Sequence, residues 1–317
     1  VNIICILASV ELELGYQETA IKLLEDFISK YKNTISDTDK ARIYTNLGFY
    51  HEFGEKQGEY LLEAEKLNSP FVETYKGLAL TYFSNYENDK ATEDLYKSLN
   101  YFEKALKITN DYEIYFGYAV CLFETKQYQK AKEIFEELLL EYPNRMRLLL
   151  SISYCEAYLG NKEKSIYYLK QVKDGQDDNY SLNTDDIADY EIFDVYYVLE
   201  EYDEYLAFFD KVISDYYTVD WEHYYYVLWL KNEKEKFYKL VEHNRTYLDQ
   251  ALMDAIADDE YDSEEEKQEI ISDWEKDKTE YEDMISRIKK GTSKPDLRLE
   301  LYPEFSCFLI DCVKHQF

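Results

Sequence analysis

The side chains that could carry out chemistry are sparse. The four histidines (His51, His223, His243 and His315) are scattered along 317 residues and read as packed or surface residues. The metalloprotease H-E-x-x-H, the phosphate-cradling G-x-x-x-x-G-K-[ST], the dinucleotide G-x-G-x-x-G and the nucleophile elbow G-x-S-x-G are all absent. Cys307, Cys312 and His315 offer three soft ligands, but a structural zinc site takes four, so they read as core thiols and a neighbour on a last helix. Asp258 to Glu266 places seven carboxylates in nine residues, without the alternating spacing and central glycine of a calcium loop. No catalytic residue, metal or cofactor is expected. What is abundant is aromatic surface and negative charge: 35 Tyr, 16 Phe and 3 Trp, with a formal net charge of −30.

The charge excludes some partners. A field of that sign repels nucleic acid backbones and anionic membranes and attracts cations. No apolar run reaches the ~18 residues of a membrane span. Val1 to Val10 is apolar but short, lacks a basic lead-in and runs into Glu11 and Glu13, so it reads as the first helix of a repeat. Five Cys without framework spacing suit a reducing, cytoplasmic setting. Only 9 Gly and 4 Pro argue against tight β-hairpins and for a nearly all-helical chain.

The elements that would position any site are written as a repeat. Tyr115, Tyr118, Ala119 and Leu122 are followed by Ala131, Phe135 and Pro143. Moving on 34 residues gives Leu149, Ile152, Ser153 and Glu156, then Ser165 and Leu169. Small residues at 119, 131, 153 and 165 mark where two helices approach closely. This spacing resembles the tetratricopeptide repeat, W-x2-L-G-x2-Y, then A-x3-F, then P. Weaker copies precede it: Ile4, Leu7, Ala8, Gly15, Ala20 and Leu24; Tyr44, Leu47, Gly48 and His51; Tyr75, Leu78, Ala79 and Tyr82. The second helix of the third copy, marked by Ser98, Phe102 and Ala105, arrives seven residues late, which predicts lengthened helices around a polar elbow. Ser29 to Lys40 reads as a long polar connection.

After the polar stretch from Asp174 to Asp186 the pattern decays, with Phe193 at a small-residue position. Ser263 and Glu266 form a capping-box start for a helix whose stripe is Ile270, Ile271, Trp274, Tyr281, Met284, Ile285 and Ile288, ending at Lys289, Lys290 and Gly291. Pro295 and Pro303 bracket an irregular or extended piece, LRLELY, before an apolar helix around Phe308 to Val313. The expected architecture is an all-α, right-handed α-solenoid of about seven hairpins. Residues 1–176 hold five regular repeats, 177–244 two degenerate ones, and 245–317 an acidic C-terminal helical cap.

The resemblance implies a concave groove lined by first helices, with residues one, five and eight after each leading residue facing it. Those offsets give Phe49, Phe83, Phe116, Val120, Phe123, Tyr154, Tyr190, Tyr197, Tyr226 and Trp229, interspersed with acids such as Asp194. An aromatic, acidic groove suits a basic and apolar protein or peptide, with cation–π contacts of ~0.5–2 kcal/mol each. On this reading Phe116, Phe123 and Tyr154 can be truncated together with little loss of fold. Asp258, Asp259, Glu260, Glu264, Glu265 and Glu266 would add an acidic docking surface. The implied function is a non-enzymatic binding scaffold. Its alternatives are a bacterial immunity protein or antitoxin that neutralises a cationic toxin, and a peptide-sensing regulator, although no DNA-binding helix-turn-helix is visible from Val1 onward.

Overall fold

The polar breaks in the sequence become short turns, and the stretches between them become helix. The computed structural model describes residues 1–51, 55–143, 145–177, 187–212, 218–258, 261, 263–305 and 309–310. Among these there are fifteen helices and no strand: α1 (Asn2–Glu13), α2 (Gln17–Tyr31), α3 (Asp37–Tyr50), α4 (Glu55–Lys66), α5 (Val72–Asp89), α6 (Thr92–Leu106), α7 (Tyr112–Glu124), α8 (Tyr128–Glu141), α9 (Met146–Tyr158), α10 (Lys162–Asp177), α11 (Asp189–Val198), α12 (Tyr202–Val212), α13 (Glu222–Leu230), α14 (Lys234–Ala257) and α15 (Glu264–Lys290). Consecutive helices pair as seven hairpins, and α15 follows; the fold is an α-solenoid of helical hairpins. No helix among the described residues is long and apolar enough to cross a membrane.

Small residues set the helix spacing, as the pattern requires. Ala119 and Ala131 are fully buried. Ser153 Oγ donates to the Ser165 carbonyl at 2.9 Å and Ser165 Oγ donates to the Ser153 carbonyl at 2.8 Å. In the third hairpin Ser98 Oγ donates to the Ala79 carbonyl at 2.7 Å. A hydroxyl at this position therefore ties one helix to the other and satisfies itself, which allows a polar atom in a closely packed seam. Gly117 admits an even closer neighbour: a Cβ there would lie 2.5 Å from the Phe102 ring.

The third hairpin absorbs its seven extra residues as helix. α5 runs 18 residues, Lys90 makes the turn with φ +52, and Ser98, Phe102 and Ala105 are buried on α6. The connection expected from Ser29 to Lys40 is shorter than its polarity suggests. α2 continues to Tyr31, and α3 starts at Asp37, where Ser36 Oγ accepts the Asp39 N–H at 3.1 Å. Polar residues there occupy the outer face of α2 and an N-cap rather than a loop.

Two compact units result, one formed by residues 1–168 together with the chain from Glu300 onward, the other by residues 169–299. In the second unit Phe193 fills the position where a small residue would sit, with ring centroids 4.5 Å from Phe209, 5.7 Å from Trp221 and 5.8 Å from Tyr205. A buried polar node joins α13, α14 and α15. Asn244 Nδ2 donates to the Tyr225 hydroxyl at 2.5 Å, and the Tyr225 and Tyr281 hydroxyls lie 2.8 Å apart.

α15 begins and ends where its signals stand. Ser263 Oγ accepts the Glu266 N–H at 3.1 Å, and Gly291 closes the helix with φ +90. Its stripe is fully buried only in the second half, at Tyr281, Met284, Ile285 and Ile288; Ile270, Ile271 and Trp274 are half-buried. Residues 292–305 have no regular secondary structure. Most of the helix expected around Phe308 to Val313 lies outside the described residues, and Leu309 and Ile310 are not helical.

Candidate functional site

The first helices α3, α5, α7 and α9 carry the residues that the repeat pattern aims at a groove, and most of those side chains are already covered. Phe83 is 3% exposed, Tyr154 2%, Phe123 1%, and Phe116 and Val120 are fully buried. Phe49 is half-buried and packs on Gly77 of α5, where an added Cβ would meet its ring at 2.5 Å. Phe116 lies 5.6 Å from Tyr112 and 5.4 Å from Phe135, while Phe123 lies 5.3 Å from Tyr128 and 6.2 Å from Tyr154. On α9, Leu148 to Glu156 are buried without a break. A helix apolar and buried all round presents no open stripe. Joint truncation of Phe116, Phe123 and Tyr154 therefore removes core, contrary to the expectation that the fold would tolerate it.

Within this first unit a piece of the same chain without regular secondary structure lies against the first helices. The Leu301 N–H donates to Glu124 Oε1 at the end of α7 at 3.4 Å, and the Leu301 side chain is 1% exposed. Glu300 pairs with Lys90, at the end of α5, at 3.3 Å. Glu304 pairs with Arg145, the N-cap of α9, at 2.6 Å. The Ile310 N–H donates to Asn46 Oδ1 in α3 at 3.2 Å, and Leu309 packs on the core formed by Cys5, Ile43, Leu47 and Tyr50. Every one of these polar contacts falls on a first helix or its cap. Asn46, Lys90, Glu124 and Arg145 lie outside the offsets read from the sequence. The signal that α7 and α9 are apolar all round, and so covered on both sides, was available in their composition.

In the second unit, Tyr190 is 48% exposed, Tyr226 and Trp229 are half-buried, and Tyr197 is buried. The rings here already receive cations from the chain. Lys234 Nζ stands 2.9 Å over the Trp229 ring and Lys294 Nζ 4.9 Å over that of Tyr197, whose hydroxyl donates to the Pro295 carbonyl at 2.7 Å. Asp194 and His223 face each other with His Nε2 3.9 Å from Asp Oδ1. Burial, helped by Glu191, pushes the Asp194 carboxyl up to about 7, and burial pushes the His223 imidazole down to about 4. Burial outweighs mutual attraction here, so this is an environment that rejects charge rather than an ion pair.

Of the acidic set, Asp258, Glu264, Glu265 and Glu266 are exposed, while Asp259 and Glu260 lie outside the described residues. Cys5, Cys121 and Cys155 are buried and reduced. Burial pushes the Cys121 thiol up to about 12 and raises Cys155 as well, so both are packing residues rather than nucleophiles. Cys307, Cys312 and His315 lie outside the described residues, and no group of metal-ligating side chains assembles among the rest.

Helical hairpins with small residues at their close-approach seams are the architecture of the tetratricopeptide repeat. A tetratricopeptide repeat family model matches residues 88–151. Among solved structures, a tetratricopeptide repeat protein from Parabacteroides merdae is similar over 84% of this chain and 94% of its own, with 16% identity and a TM-score of 0.55. No curated protein matches. A tetratricopeptide repeat is thus present within residues 88–151, and the fold of the similar structure extends over most of the chain. Repeats of this class are generally protein-interaction modules.

Proposed function

We propose that this protein is a non-enzymatic scaffold that binds a protein or peptide along its first helices. The observation that carries this reading is the non-helical segment 300–304 meeting the ends of α5, α7 and α9, because it means that these first helices accept a segment of irregular chain. For the second unit we take the partner to be basic and apolar. The support is the set of rings at Tyr190, Tyr226 and Trp229, the lysines seated on Trp229 and Tyr197, and the net charge of −30. The exposed Glu264, Glu265 and Glu266 extend the same sign of charge onto α15. A cationic toxin would be one member of that partner class.

The test takes a partner captured by the full chain and compares wild type with Tyr190→Ala combined with Tyr226→Ala. We expect binding to weaken ~10-fold with unchanged helix content, and association to slow as salt rises. Unchanged affinity together with a salt-independent association rate would remove the basic-partner reading.

A further inference from the structure

The last helix pair of the second unit is much longer than the helix that packs on it. α14 has 24 residues and α15 has 27, against nine in α13. At ~1.5 Å per residue the pair spans ~36 and ~40 Å beside a helix of ~14 Å. α13 holds the inner end, where Tyr225 meets Tyr281 and Asn244. Beyond Leu248 only Ala255 is buried on α14, and no residue of α15 before Tyr281 is buried.

On the side turned away from α13, two ion pairs cross from helix to helix, Arg245 with Glu282 and Lys278 with Asp249, both at 2.5 Å. Seven residues make about two turns, so Ile256 continues the row of Asp249 and Ile271 that of Lys278. Leu252 and Met253 stand one turn beyond Asp249, and Trp274 one turn before Lys278. The outer seam on this side is therefore apolar. Met253 is 62% and Ile256 52% exposed, and Leu252, Ile271 and Trp274 are half-buried. Two helices alone leave such a seam for a third element to cover.

Charge specifies that element. Residues 249–283 hold sixteen Asp and Glu and three Lys. Lys278 and Lys276 pair with Asp249 and Glu280, and Lys267 donates to the Asp258 carbonyl at 2.6 Å. Glu264 lies two turns before Ile271 and Glu275 two turns before Glu282; both are exposed. A second copy of this surface would set acid against acid, which like-charge repulsion disfavours.

We propose that the outer half of the α14–α15 pair is a docking surface for a basic amphipathic helix of a partner protein. The apolar stripe of that helix fills the seam of Leu252, Met253, Ile256, Ile271 and Trp274, and its Lys and Arg side chains lie over Glu264 and Glu275. This rests on the basic-partner reading and specifies the form in which such a partner meets α15.

The experiment uses the full chain and a fluorescein-labelled peptide of about 18 residues, ~27 Å long as a helix, read by anisotropy. The peptide is made of Leu and Lys, with Leu at i, i+3, i+4 and i+7. It is expected to bind at least ~10-fold more tightly than a peptide of the same composition with Leu and Lys alternating, or than its Leu and Glu counterpart. Met253→Ser combined with Ile256→Ser should weaken it at least ~10-fold, and so should Glu264→Gln combined with Glu275→Gln. Ile3→Ser, on the exposed face of α1, should leave it unchanged. Equal binding of the helical and alternating peptides overturns the proposal, as does equal binding by wild type and a Met253→Ser, Ile256→Ser chain of normal helix content. A wild-type dimer in sedimentation that these two substitutions dissociate also overturns it, because a second copy would then cover the seam.

Should the substituted chain lose helix, amide exchange on wild type decides. Added peptide slowing exchange at least ~10-fold at Ile256 and Trp274, with none at Phe209 of α12, supports the seam, and protection without that preference overturns it. Capture of a partner through Tyr190 and Tyr226 is read in its own variant and survives failure here.

Discussion

Removing a ring from the α7–α9 packing leaves a cavity that its neighbours cannot fill. Phe116 and Phe123 touch aromatic residues on both helices of their hairpin or the next, and Tyr154 is 2% exposed. Each truncation to Ala should cost ~3–5 kcal/mol. The triple substitution then approaches or exceeds the ~5–15 kcal/mol of a typical domain. Urea denaturation should find Phe123→Ala strongly destabilised and the triple variant unfolded; a folded triple variant would mean that these rings lie on an open face.

The Asp194–His223 pair makes opposite pH slopes. Folded Asp194 keeps its proton to about pH 7, whereas an unfolded Asp loses it near ~3.9, so the folded state holds the extra proton between them and stability falls as pH rises through that window. His223 is the reverse. Its folded value of about 4 lies below the unfolded ~6.5, so stability is lost as pH falls through that range. Each slope is at most ~1.4 kcal/mol per pH unit. Relative to wild type, Asp194→Asn should gain stability as pH rises from 4 to 7, and His223→Gln should gain it as pH falls from 6.5 to 4. Urea midpoints parallel to wild type across that range would show that neither group titrates as its burial requires.

At the scale of elements, α15 shows how a helix can be fixed at its ends and still be unevenly held. Ser263 satisfies an otherwise orphaned N–H, three glutamates occupy the positive end, and Arg287, Lys289 and Lys290 the negative one. Packing is concentrated from Tyr281 onward, where Tyr225 and Asn244 meet it in the buried polar node. Ser263→Ala should cost ~0.5–2 kcal/mol of helix-start stability. Amide exchange should rise in the first turns of α15 and stay slow at Tyr281 to Ile288. Uniform acceleration along the helix would mean that the node does not anchor it separately.

Across the molecule, two units differ in what their first helices offer. The first is occupied by the chain's own segment from Glu300 onward, with carboxylates on Lys90 and Arg145. The second keeps Tyr190 exposed and seats lysines on Tyr197 and Trp229. In a chain with 66 acidic and 36 basic residues, some of the cations thus hold fixed positions against carboxylates and rings of the fold.

The hairpins, their seams and the caps of α15 were legible in the sequence because each depends on local spacing. Ala119 against Ala131, Ser153 against Ser165, the lengthened third hairpin, and Ser263 with Gly291 follow from helical periodicity and from backbone groups that need partners at helix ends. What covers a first helix was not legible. Offsets along a helix give the direction of a side chain, but burial depends on what arrives from elsewhere in the chain. Glu124 receives an amide 177 residues away and Asn46 one 264 residues away. A short irregular segment with one buried leucine leaves almost no periodic trace. Only the tertiary structure decided that Phe116, Phe123 and Tyr154 are core, and that Asn46, Lys90, Glu124 and Arg145 meet the chain's own residues 300–310, because those roles are set by contacts between distant segments.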